Sequence, residues 1–183
     1  MHPLFNEDMK KSEVVEEYEK LVNSYNGEQI KFKNWNLEEK SLDGMVTGFV
    51  KTSDFTDGAT ASVSVERAFK GEKSLNVKDI STTATAGYST TLIPYSYKDN
   101  YAVIIPLFLS SGRTSVDIGY YDADGIYLGR DVHNETPGIG VWNIMHYKVK
   151  PMFKSAKYLR IRCYTTEYWM SDSYYDEITV IKY

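Results

Sequence analysis

The sequence holds one cysteine, Cys163, among 183 residues. An intrachain disulfide is therefore excluded, and in the apolar phase of YLRIRCY the residue reads as a small buried hydrophobe rather than a reactive thiol. Long hydrophobic runs are missing as well. No stretch approaches the roughly 18 apolar residues of a membrane span, and the N-terminal MHPLFNEDMKK lacks the apolar segment of a signal peptide. The expectation is a chain that does not insert into a membrane and that is either cytosolic on synthesis or cut from something longer. Charge of one sign is also lacking: 21 basic and 25 acidic residues are mixed along the chain for a net charge of -4. No basic patch of the kind nucleic-acid binding depends on is visible in that mixture, so no nucleic-acid partner is expected. Histidine is scarce, with 3 residues, and His133 and His146 are too far apart to suggest a metal triad. The Asp122-Ala123-Asp124-Gly125 string lacks the later acidic ligands of an EF-hand and reads as a turn. No nucleophile, acid and base converge in the sequence, so the chain reads as non-catalytic. No spacing marks or excludes a glycosidase carboxylate pair among the 25 acids.

Tyrosine, by contrast, is abundant, with 16 residues against 7 Phe and 3 Trp. Such amphipathic rings suit exposed platforms and wet interfaces better than deep cores. Residues 7–26 carry Val14, Tyr18, Leu21 and Tyr25 at helical spacing, with Val15 and Val22 beside them and Gly27 as a stop. A helix this short needs a partner, either its own domain or copies of itself in a homo-oligomer. From residue 30 the period changes to two. Strands are predicted near 30–37, 60–68, 73–80, 88–95, 100–109, 114–121, 126–132, 142–150, 157–165 and 174–182, with Asp124-Gly125 as the turn of the clearest hairpin. The expected organisation is a helix or stalk over 1–28 followed by one all-β sandwich over 29–183.

Several segments, in order, resemble the β-jelly-roll carbohydrate-binding modules, which are galactose-binding-domain-like and occur on bacterial glycan-active enzymes and phage tail proteins. They are Asn34-Trp35-Asn36-Leu37-Glu38 with Asp43-Gly44, Gly71-Glu72-Lys73-Ser74-Leu75-Asn76-Val77, the Tyr121–Gly125 hairpin, and Trp142 followed by Pro151 and Ala156-Lys157-Tyr158-Leu159-Arg160-Ile161. The last is Tyr175-Asp176-Glu177-Ile178, with Glu in place of a second Asp. The resemblance implies a jelly-roll sandwich whose first and last strands are neighbours. It also implies a structural calcium held by Glu38, Asp176 and the main chain of Lys73, where the alternative is a solvated acid cluster or a salt bridge to Lys73. The implied function is a non-catalytic module attaching a larger assembly to a polysaccharide or cell-surface glycan, in an extracellular or virion-associated setting. The alternative is a phage tail or baseplate protein serving host attachment, multimerising through its N-terminal helix.

A sugar site needs flat aromatic faces and fork-like polar groups together. The strand AKYLRIRCYTT places Tyr158, Arg160, Arg162 and Tyr164 on one face, and Asp117, Tyr121 and His146 are candidate neighbours. Planar guanidinium donors suit paired hydroxyls or the carboxylate of an acidic sugar. The loop TEYWMSDSYY offers a second place, at Tyr168 and Trp169, where the Trp either stacks on a sugar or lies under the N-terminal helix. Trp142 is expected to pack in the core.

Overall fold

The computed structural model describes residues 11–39, 45–52, 59–83, 85–165 and 169–183. Asp43, Gly44 and Tyr168 lie outside the described residues. Helix α1 (Lys11–Ser24) is followed by β1 (Glu28–Gln29), β2 (Phe49–Lys51), β3 (Ala59–Ser64), β4 (Ser74–Asp79), β5 (Gly87–Thr90), β6 (Ile93–Pro94) and β7 (Tyr101–Ser111). The remaining strands are β8 (Thr114–Tyr121), β9 (Tyr127–Glu135), β10 (Trp142–Lys148), β11 (Tyr158–Tyr164), β12 (Ser171–Tyr175) and β13 (Thr179–Lys182).

These strands build two antiparallel sheets packed face to face, a jelly-roll sandwich with one short N-terminal helix. The first sheet runs β1-β13-β7-β12-β4-β3, with β10 on the other side of β7; the second runs β2-β5-β11-β8-β9, with β6 also on β11. The terminal strands are neighbours, Glu28 pairing with Lys182. Inward side chains of both sheets, among them Val103, Ile105 and Leu107 of β7 and Val116, Ile118 and Tyr120 of β8, form the main core.

β7 is buried without alternation from Tyr101 to Leu109, because both of its faces are covered. Its inward phase meets the second sheet, while Ile104 on the outward phase joins Val14, Tyr18, Phe69 and Ile181 in a smaller cluster beneath α1. The helix stripe thus packs on its own sandwich. The Tyr18 hydroxyl bonds Thr179 Oγ1 at 2.7 Å, its ring meets Phe69 edge-on at 5.4 Å, and Lys70 pairs with Glu19 at 3.0 Å. Trp142 is only half-buried. It sits in this secondary layer, 5.3 Å from Phe69 and 5.7 Å from Phe108 between ring centroids, rather than in the main core.

Two expected strands take a different form. Residues 30–37 wind through turns, with Asn34 and Leu37 at φ 57° and 60°. The Asn34 side chain donates to the Thr47 carbonyl and accepts from the Glu39 amide, and these local bonds replace a ladder. The run 174–182 is broken at Asp176-Glu177, where Glu177 has φ 43°, so its two halves become β12 and β13. Conversely, β2 is too short for a period of two to reveal.

Candidate functional site

The outward face of the second sheet carries no covering element among the described residues. On β11, Leu159, Ile161 and Cys163 are fully buried while Tyr158, Arg160, Arg162 and Tyr164 are partly exposed, which is the alternation expected of a half-buried strand. The register aligns these side chains with their neighbours in cross-strand rows. Arg162 pairs with Asp117 on one side and Ser89 on the other. One step along, Gly119 lies between Arg160 and Arg130. One step further, Tyr121 lies between Tyr158 and Tyr127. An open pocket of about 680 Å³ lies over these rows, lined also by Val50 and Lys51 of β2. Its size suits one or a few sugar rings.

Asp117 organises the pocket. It is only 2% exposed, and each of its oxygens is engaged. Oδ2 accepts from Arg162 Nη2 at 2.6 Å and Nε at 3.0 Å and from Arg130 Nη1 at 2.9 Å. Oδ1 accepts from the Tyr164 hydroxyl at 3.0 Å. Arg162 also stacks over the Tyr164 ring at 3.9 Å. Burial works against the charge on Arg130, yet the adjacent Asp117 carboxylate holds its pKa above the ordinary value. Burial, then Asp117, pushes the Tyr164 phenol up. Arg160 stands apart from this network: its guanidinium lies over Tyr121 at 5.0 Å, and its Nε is buried without a hydrogen-bond partner among the described residues.

Asp117, Tyr121, Arg160 and Arg162 therefore line one pocket, and Tyr164 joins through Asp117. Tyr158 belongs to the same row but lines a separate opening with Pro94, Tyr95 and Lys157. His146 is elsewhere. It lies on β10, paired to β7 in the first sheet, where its Nε2 shares a 2.5 Å hydrogen bond with the Tyr25 hydroxyl of the segment after α1. Alternation along a strand gives the phase of a side chain but not the sheet to which it belongs. Trp169 is 51% exposed, and Arg113, not α1, lies over its ring at 5.9 Å. Tyr127 and Arg130 were not singled out from the sequence. The Asp124-Gly125 hairpin contained the signal, since closing it brings β9 back alongside Asp117, Gly119 and Tyr121.

The acids at the start of the final segment fasten loops. Asp176 is fully buried; its Oδ2 accepts from the Phe69 and Lys70 amides at 2.7 and 3.2 Å, and its Oδ1 from the Glu177 amide at 2.7 Å. Burial, opposed by these amides, pushes its pKa up to about 8. Glu177 is also raised, first by burial, with Glu38 adding repulsion. Glu38 Oε1 accepts from the Glu72 and Lys73 amides, each at 3.0 Å, and Lys73 Nζ donates to the Glu38 carbonyl at 2.6 Å. Gly71, at φ 63°, leaves room for that carboxylate, since a Cβ there would lie 2.3 Å from Glu38 Oε1. Glu38 and Lys73 are thus joined directly, through the Lys73 amide and its ammonium group. Among the described residues no three His, Cys, Asp or Glu converge in a metal-binding group. The donors are nonetheless all oxygen, as a hard cation prefers, and no Lys or Arg side chain of the described residues pairs with Asp176.

The sequence matches no family model and no curated protein. Solved structures do match. A cyclase from Fischerella sp. TAU superposes with TM-score 0.67 at 14% identity, covering 86% of this chain and 98% of that one. The CBM22-1 xylan-binding domain from Paenibacillus barcinonensis Xyn10C superposes with TM-score 0.58 at 15% identity, covering 85% and 95%. Part of the enzymatically active domain of bacteriophage CBA120 tailspike protein 4 superposes with TM-score 0.59 at 13% identity, covering 76% of this chain and 20% of that one. At such identities the likeness establishes the jelly-roll fold, one shared by carbohydrate-binding modules and by enzymes.

Proposed function

We propose that the open face of the second sheet binds a glycan and that the protein is a non-catalytic binding module, positioning a larger assembly on a polysaccharide or cell-surface glycan outside the cell or on a virion. The observation that carries this reading is the tyrosine row, exposed Tyr127 and half-buried Tyr121, directly beside a guanidinium row on a sheet face that no described element covers. A pyranose presents an apolar face and a rim of hydroxyls, and these two rows complement it. The xylan-binding neighbour supports the reading, while the tailspike neighbour is an enzymatically active domain, which makes a catalytic outcome worth testing. Calorimetric titration with an oligosaccharide panel tests it. Tyr127→Ala should weaken the best ligand about three- to tenfold, as expected for one aromatic contact, without changing the melting temperature. Absence of binding to every glycan would reject the reading, and new reducing ends during titration would replace it with a catalytic one.

We further propose a structural calcium held by Glu38, Asp176 and the Lys73 carbonyl. It would supply positive charge to the Asp176 carboxylate, which burial disfavours, and so tie Glu38 and Asp176 to the 69–73 loop. A cation that binds only the folded state stabilises it by about 2.7 kcal/mol at a hundredfold excess over Kd. Calcium should therefore raise the melting temperature of the wild type and not of Asp176→Ala. Identical wild-type melting in calcium and after exhaustive chelation would remove the ion.

A further inference from the structure

We infer that the sugar recognised by this face is anionic, carrying a carboxylate or sulfate that docks between Arg160 and Arg130 over Gly119. The inference rests on the glycan-binding reading and narrows it to a class of ligand.

The chain is net acidic, at -4, yet among the described residues the pocket carries the guanidinium groups of Arg130 and Arg160 beside the Arg162–Asp117 pair, and Asp117 is its one carboxylate. The hydrogen-bonding inventory is as lopsided as the charge. A neutral sugar hydroxyl both donates and accepts, so sites for neutral sugars need acceptors as well as donors. Here the lining carboxylate already accepts four bonds, three at Oδ2 and one at Oδ1. What remains is weighted toward donors. Arg160 is the key donor: unlike Arg130 and Arg162 it makes no bond to Asp117, and its Nε is buried without a partner among the described residues, which leaves its guanidinium short of acceptors. An oxyanion only accepts, and it carries the charge the pocket lacks.

The register supplies the cradle. Arg130 and Arg160 flank Gly119 from the strands on either side of β8, so their backbones stand about 10 Å apart across two strand spacings, and Gly119 itself places no side chain between them. Gly119 has no left-handed backbone that would require glycine. The Tyr121 ring leans over it, since a Cβ there would lie 3.2 Å from Tyr121 Cε2, so that ring floors the cradle. Beside the cradle, Tyr127 is 52% exposed and offers a ring face for the sugar that bears the acid. A planar guanidinium can bind carboxylate or sulfate through two parallel N–H bonds, which a lysine cannot reproduce.

The test compares ligands that share a backbone and differ in charge. Oligogalacturonate is titrated against its methyl ester, and dextran sulfate fragments against dextran, each at low and high NaCl. At least one charged member should bind about tenfold or more tightly than its neutral partner, and only the charged one should weaken with salt. A preference for galacturonate assigns a carboxylate; a preference for dextran sulfate assigns a sulfate. Arg160→Gln should abolish the preference and Arg160→Lys should retain part of it, with wild-type melting temperatures confirming the fold. Equal affinity for charged and neutral partners overturns the inference and leaves the glycan reading standing. A preference that survives Arg160→Gln also overturns it, because the anion then docks elsewhere. No binding by any of the four, together with none across the neutral panel, rejects both.

Discussion

Each outer face of the sandwich sets aromatic rings under guanidinium groups, and the two meet different fates. On the first sheet, Arg67 lies over Phe108 at 4.2 Å, Trp142 packs beside it, and α1 crosses the surface. On the second, Arg160 lies over Tyr121 and Arg162 over Tyr164, and no described element covers them. The cause is in the outward phase of the central strands. β7 presents Ala102, Ile104, Pro106 and Phe108, an apolar strip too large to leave in water. β8 presents Asp117, Gly119 and Tyr121, which leave no apolar strip to cover, the carboxylate being satisfied by Arg162, Arg130 and Tyr164. The first face therefore contributes to stability and the second to recognition, a division that substitutions on the two sides should separate.

The largest effect should come from the covered face. Tyr18 is 4% exposed, and Tyr18→Ala removes both its ring packing and its bond to Thr179. A loss of about 3–4 kcal/mol is expected, in the range for truncating a buried aromatic, with glycan affinity of the folded fraction unchanged. Chemical denaturation together with titration measures both. If glycan binding fell in step with stability, the two faces would be coupled and the division would be wrong.

Arg162 comes next and straddles the division. It lies on the recognition face, but its side chain is only 18% exposed and is paired to the nearly buried Asp117. Arg162→Ala should cost about 1–3 kcal/mol, the range for charge-assisted hydrogen bonds, with Arg130 still partnering the carboxylate. The sequence places Arg162 on one face of its strand as a candidate sugar donor; the structure makes it a support for Asp117. Arg160→Gln is the contrast, changing binding and not melting. Should both variants melt like the wild type, the Asp117 network contributes less than its geometry indicates.

Gly119→Ala should act mainly on binding. The added Cβ meets Tyr121 at 3.2 Å, so that ring must shift by a few tenths of an ångström to accept it. An affinity loss of about threefold or more is expected if the ligand reaches this floor, with a stability cost of about 1 kcal/mol, since Gly119 is buried and closely packed. Unchanged affinity would place the ligand higher on the sheet.

How much of this could be read from the sequence depended on range. The phase of β11 was legible because Leu159, Ile161 and Cys163 alternate with polar and aromatic residues, and the Asp124-Gly125 turn was legible because it is local. The turn structure at 30–37 was not, since it depends on the Asn34 side chain reaching Thr47, thirteen positions away. The site was half legible for a similar reason. Asp117, Tyr121, Arg160 and Arg162 follow from phase alone. Tyr127, Arg130 and Lys51 enter only through strand register, and His146 was misplaced because phase does not reveal sheet membership.

The smallest effect should arise where the covered face ends. His146 and the Tyr25 hydroxyl pin the segment after α1 to β10, and partial burial, then the charge on Lys148, lowers the His146 pKa below its ordinary 6.5. The unfolded chain therefore takes up this proton at a higher pH than the folded protein does. The resulting stability is fully present above 6.5 when the imidazole is neutral in both states, and it is progressively withdrawn as pH falls through 6.5 toward the folded value. Because His146 remains exposed to solvent, the slope should be shallow. Melting curves between pH 7.5 and 5.5 should show the wild type losing slightly more on acidification than His146→Gln, in which carboxylate titrations shared by both proteins cancel. Glycan binding should keep the same pH profile in the two, since His146 lies on the face opposite the arginine rows. Superimposable melting profiles would mean that this contact does not help to hold the helix down, and a difference in binding instead would link the covered face to the open one.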